Sequence, residues 1–225
     1  MAARVFVLSP ASCAGQRGRL LLGARAESEL ARRLRGEGAS LGEVFSFLSS
    51  LYFRGKLTYA QRFAAPPRGC PGVLIVTPDR GLAPPETMLT LADLHAFARV
   101  PIELGERRYT EPLRRDAARL RGRLPRAAEV VLLGSLATPR YVEPLREALG
   151  DGLRVPGDFV GRGDMSRGGL LLRAARAGVE LAYRTVDGGP RRGARPPKLP
   201  PPERSRAAAR GEPTRAETPP ATALR

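Results

Sequence analysis

RVFVLSP, residues 4–10, decides how this chain is built. Four apolar residues follow one another, β-branched and aromatic types among them, and the run stops at a proline. A strand with one wet face alternates apolar and polar residues. An unbroken run suits a strand covered on both faces, as in parallel sheets. GVLIVTP (72–78) and EVVLLGS (129–135) repeat the pattern, and GLRVPG (152–157) is a weaker fourth copy.

The stretches between these runs read as helices. ESELARRLRGEG (27–38) closes on glycines, and 41–64 has apolar residues near helical spacing. Residues 109–124 place Leu113, Ala117, Leu120 and Leu124 on one stripe. Residues 138–150 open on Thr-Pro and end at Gly150, and 166–183 reads as a helix interrupted by glycines. Strand and helix in alternation predict an α/β fold: a single domain over 1–186, its mainly parallel central sheet flanked by helices. From Asp187 to Arg225 the chain turns rich in Pro, Gly, Ala and Arg, with no aromatic residue and no apolar period. Such a segment buries too little surface to offset its chain entropy, so 187–225 is expected to be a disordered tail.

The net charge is +16, but 36 arginines stand against two lysines, Lys56 and Lys198. Asparagine is absent and isoleucine occurs only at 75 and 102, the pattern of GC-rich codons, so the arginine excess reads either as codon bias or as a functional basic surface. A basic surface still attracts polyanions through its summed field. The run Val5–Leu8 is too short for a signal core or a membrane span, and the two cysteines, Cys13 and Cys70, have no metal-ligand spacing. These features suggest a soluble cytoplasmic protein without a membrane partner.

In parallel sheets ligands bind outside the carboxyl ends of the strands. Here those ends are 9–13, 77–86, 134–141 and 156–167, all rich in Gly, Pro, Ser, Thr and charged residues. No phosphate-binding GxxxxGK[ST], no GxGxxG after the first strand and no GxSxG is present, so no cofactor is expected. A single histidine, His95, cannot make a metal pair, and it reads as a helix-surface residue. Cys13 is either a nucleophile at a helix start or a small buried residue in a tight turn. Ser9 and Ser12 offer hydroxyls to an anion or a base edge. Asp79, Arg80, Gly81 and Glu86 form either a salt-bridged corner or a ligand site. In VGRGDMSRGGLLLR (160–173), Asp164 or Ser166 is suited to cap the following helix. Arg162 and Arg167 then add positive charge to a positive helix end, which favours a bound anion between them.

Taken in order, LSPA after the first strand, D-R-G-L-x-P-P-E after the second, Tyr141, and R-G-D-M-S-R before a helix resemble the bacterial peroxide-stress-resistance (YaaA-like) family. The matching positions are Ser9-Pro10-Ala11, Gly81 with Pro84, and Arg162-Gly163-Asp164-Met165-Ser166-Arg167. SSLYFRGKLTYAQRFA resembles the L-Y-x-G…Y-A pattern of related bacterial domains. Asp79-Arg80 stands where that family has an aromatic residue before Gly, and Asp164 where it has an apolar one. The resemblance implies an α/β fold with a positively charged cleft, DNA association and a role in limiting oxidative damage.

Three functions compete. The first is an arginine-lined cleft for nucleic acid or a nucleotide-like anion: Arg80, Arg162 and Arg167 contact phosphate, Gly134, Ser135 and Gly163 shape the rim, and Tyr52, Tyr109 or Tyr141 stacks a base. The second is an enzyme on a nucleoside or modified base, with Asp79, Glu86 or Asp164 as acid, base or nucleophile and Ser9 or Cys13 assisting. The third is a non-catalytic interaction scaffold in which the rim motifs are caps and corners.

Overall fold

The computed structural model describes residues 3–23, 25–197 and 199. The chain runs through strand β1 (Arg4–Leu8), helices α1 (Gln16–Leu22) and α2 (Glu29–Arg35), strand β2 (Ala39–Ser40) and the long helix α3 (Leu41–Phe63). Strands β3 (Val73–Val76), β4 (Leu82–Ala83) and β5 (Met88–Leu89) follow, then helices α4 (Leu91–Ala98) and α5 (Arg107–Arg123). Strand β6 (Glu129–Leu133), helix α6 (Pro139–Leu149), strand β7 (Leu153–Pro156), helix α7 (Asp164–Ala177) and strand β8 (Tyr183–Thr185) complete it.

One sheet has the order β4-β3-β1-β6-β7-β8. Its four inner strands are parallel and are the four runs read from the sequence; β4 and β8 close the edges in antiparallel pairing. In β1, Val5 to Leu8 are wholly buried, and Phe6 pairs with Val73 on one side and Val131 on the other. Burial on both faces explains why the run does not alternate. From β1 the chain moves to β3 in one direction, then returns across β1 to β6 and β7. The right-handed crossover rule puts the helices of these two excursions on opposite faces. On one, α5 packs on α6; on the other, α3 packs on α7, which leads from β7 to the antiparallel edge strand β8.

The α3–α7 crossing is close because glycine meets glycine. A methyl on Gly55 would lie 2.8 Å from the Gly168 carbonyl oxygen, and one on Gly168 would lie 2.9 Å from the Leu51 oxygen and from Tyr52 Cα. Before the crossing, α3 bends at Ser50, whose φ of 46° and ψ of −122° are non-helical. A side chain there is strained, by roughly 1–3 kcal/mol.

Three local expectations are revised. The helix expected over 166–183 occupies Asp164–Ala177; Gly178, with φ 66°, ends it, and 183–185 become the edge strand β8. Neither Asp164 nor Ser166 caps it: Gly163 is the N-cap, and Asp164 lies in the first turn, where its charge suits the helix dipole. The chain also does not leave the domain at Asp187. Arg191 pairs with Glu143 on α6, and the Arg162 guanidinium donates to the Pro197 carbonyl at 3.5 Å. The remainder of the expected tail, 200–225, lies outside the described residues. Among the described residues no helix is long and apolar enough to cross a membrane. His95 is exposed on α4, as expected.

Gly168→Ala should cost about 1–3 kcal/mol by overpacking the helix crossing. Chemical denaturation of the variant against wild type, at matched m-values, measures it.

Candidate functional site

The carboxyl ends of β1, β3 and β6 open onto a cleft of about 440 Å³. Its floor and walls come from Pro10 to Ala14 after β1, Pro78 after β3, Phe97 at the end of α4, Ile102, and Arg140 and Tyr141 at the start of α6. β1 is flanked by β3, reached first, and by β6, reached on the return, so the cleft lies where strand order reverses, the usual place for a ligand in an open α/β sheet.

Of the residues singled out in the sequence, Ser12, Cys13 and Tyr141 line this cleft. Ser12 is exposed and Cys13 is buried. Burial, with Asp79 adding to it, pushes the Cys13 thiol up to about 12, which favours the reading as a small buried residue over that as a nucleophile. The Tyr141 hydroxyl accepts a hydrogen bond from the Ser135 N–H at 3.1 Å. Gly134 lets three groups meet: a methyl there would lie 2.9 Å from Ser9 Cβ and 3.0 Å from Tyr141 Cε2. The Tyr109 hydroxyl is buried near Arg140 and Tyr141 and has no hydrogen-bond partner among the described residues.

Asp79, Arg80 and Gly81 form a corner beside the cleft. Thr77 Oγ1 donates to the Gly81 carbonyl and accepts from the Arg80 N–H, both at 3.0 Å. The turn needs glycine, because Gly81 has φ 68° and a methyl there would lie 2.5 Å from the Pro112 oxygen. Arg80 is held by Asp93 on α4 and by Asp79 at 3.4 Å, and its guanidinium lies 5.3 Å from the Phe97 ring centre. Burial raises the Asp79 carboxyl above its ordinary range, and its Oδ1 has no hydrogen-bond partner among the described residues. Glu86 is exposed in the turn before β5 and does not line the cleft.

The residues before α7 assemble elsewhere. Arg162 donates from Nε to the Asp158 carbonyl at 3.0 Å and from Nη1 to Ser166 Oγ at 3.3 Å. Arg167 is buried, donates to the Phe159 carbonyl at 3.2 Å and pairs with Asp164 at 3.4 Å. Both guanidiniums thus brace the turn 157–163 through its carbonyls instead of lining the cleft. Asp164 is 67% exposed. The sequence-selected residues therefore lie in three adjoining neighbourhoods and not around one cavity.

One residue was missed altogether. Lys56, one helical turn after Tyr52 on α3, is 1% exposed. Its Nζ donates to the Ser9 carbonyl at 2.5 Å, lies 2.9 Å from Ser9 Oγ, and sits over the rings of Tyr52 (4.7 Å) and Phe53 (4.6 Å). Burial pulls its ammonium down to about 7; the Asp164 carboxylate opposes the shift and Arg167 adds to it. Beside it the buried Tyr52 hydroxyl has no hydrogen-bond partner among the described residues. The signal in the sequence was rarity: a lysine within a domain whose other basic side chains are arginines. No cluster of three metal-ligating side chains occurs among the described residues.

A lysine depressed in the folded state binds its proton more weakly there than in the unfolded chain. Stability should therefore rise as pH increases from about 7 towards the unfolded lysine value of 10.5. Lys56→Met should abolish that rise and melt above wild type at pH 6, which thermal unfolding across the range measures. No protein-family model, curated protein or solved structure matches the chain.

Proposed function

We propose that the cleft binds a nucleotide-like anion, a planar ring between its apolar walls and a phosphate at its mouth. The observation that carries this reading is the contrast between wall and rim. Pro10, Pro78, Phe97 and Ile102 give flat apolar surface, while Arg140 at the edge is exposed and has no hydrogen bond or ion pair among the described residues. A guanidinium without a carboxylate partner is suited to a bidentate contact with phosphate. The cleft volume of about 440 Å³ falls in the range of small-molecule sites. The anion-binding role expected for Arg162 and Arg167 passes in this reading to Arg140, because the first two are engaged with backbone carbonyls.

A panel of nucleoside monophosphates, titrated by calorimetry at low and moderate salt, tests the reading. Binding should weaken as salt rises, and Arg140→Ala should weaken it on the order of tenfold or more, the worth of one charge-assisted hydrogen bond. A short single-stranded oligonucleotide run beside the panel separates a cleft ligand from a strand: a strand shows the steeper salt slope. Equal binding by wild type and Arg140→Ala, or none by either, rejects the proposal.

A further inference from the structure

A second cavity adjoins the cleft: a groove of about 580 Å³ that shares Val100 with it as a common wall. The groove is lined by Asp79 and Arg80 from the corner after β3, by Ala96 and Arg99 from the end of α4, and by Arg108 and Pro112 from α5. Two of its three guanidiniums are already neutralised. Arg80 pairs with Asp93 on α4, and Arg108 holds Glu106 through Nε at 2.9 Å and Nη2 at 2.7 Å. The third, Arg99, is exposed and has no hydrogen bond or ion pair among the described residues.

Two acceptors in the same groove lack donors. The Asp79 side chain is 22% exposed, and its Oδ1 has no hydrogen-bond partner among the described residues; Arg80 Nε stands 3.4 Å from it. The Arg108 carbonyl points along α5 at Pro112, one helical turn on, and proline has no N–H to give it. Asp79 and Arg99 line one groove without coming within ion-pair distance of each other. A group placed between them can satisfy both.

An ammonium suits the two acceptors, being a compact cation with three donors and no acceptor of its own. A carboxylate suits Arg99, whose planar fork favours a bidentate anion. A lone anion would answer Arg99 but set like charge against Asp79, and a lone amine would leave Arg99 unmatched. A free amino acid carries both groups on one carbon. Ala96, Val100 and Pro112 add apolar surface for its side chain.

We propose that this groove binds a free amino acid with an aliphatic side chain, its ammonium held by Asp79 and the Arg108 carbonyl and its carboxylate by Arg99. The site goes beyond the nucleotide reading of the cleft and does not rest on it.

Calorimetric titration of the full chain with L-valine, 3-methylbutanoate and isobutylamine tests the proposal. The second compound lacks the amine of valine and the third its carboxylate. L-Valine should bind, and each analogue should bind about tenfold or more weakly, the worth of one charge-assisted contact. Arg99→Ala, at an exposed position, should weaken L-valine on the order of tenfold with an unchanged circular dichroism spectrum, and Asp79→Asn should do likewise. No binding of L-valine to folded wild-type protein overturns the proposal without reference to any variant. So does either analogue binding as tightly as L-valine, which marks a simple anion or cation site, and so does undiminished affinity in Arg99→Ala. Nucleoside monophosphate titration of the same samples reads the cleft separately, so either site can fail alone.

Discussion

The contact between Gly55 and Gly168 governs what the rest of the site can be. Side chains normally hold packed helices 8–10 Å apart; here backbone meets backbone, with a methyl on Gly55 placed 2.8 Å from the Gly168 oxygen. Residue 56 follows the contact on α3, and residue 167 precedes it on α7. Close approach therefore presses Lys56 and Arg167 into the same interior, at the carboxyl end of the central strand. The amine loses water, and its remaining polar partner is a serine at the strand terminus. Two small residues set the electrostatics of a third.

The arginine excess looks different once its partners are known. Arg4 joins β1 to Glu129 on β6 at 3.0 Å, Arg33 joins α2 to Glu43 on α3 at 2.8 Å, and Arg114 joins α5 to Glu147 on α6 at 2.6 Å. Such exposed or half-exposed pairs stabilise by about 0–1 kcal/mol each. They tie neighbouring elements together. Arg140 has no such partner among the described residues, and it stands at the cleft.

The parallel core was legible because physics writes it plainly: a strand buried on two faces has no polar positions to interrupt it. Strands β4, β5 and β8 have two or three residues each, too few to show a period, and they exist through pairing with neighbours. The rim was legible as loops at strand ends, yet the partners of its arginines were not. Arg162 and Arg167 answer carbonyls of the turn before α7, and no spacing in the sequence reveals where those carbonyls point. Lys56 was hidden for a related reason: its meaning comes from the face of α3 that α7 covers, which is a fact of tertiary packing.

The bend at Ser50 splits α3 into two mechanical parts. The segment before it is held by neighbours on the α1 and α4 side, where Phe45 packs on Phe97 at 6.2 Å. The segment after it, with Tyr52 and Lys56, is clamped by α7. A straight helix would transmit a push on the cleft wall at Phe97 along its length to the amine. The non-helical residue between the segments interrupts that line, so the wall at Phe97 and the buried amine belong to two separate runs of helix.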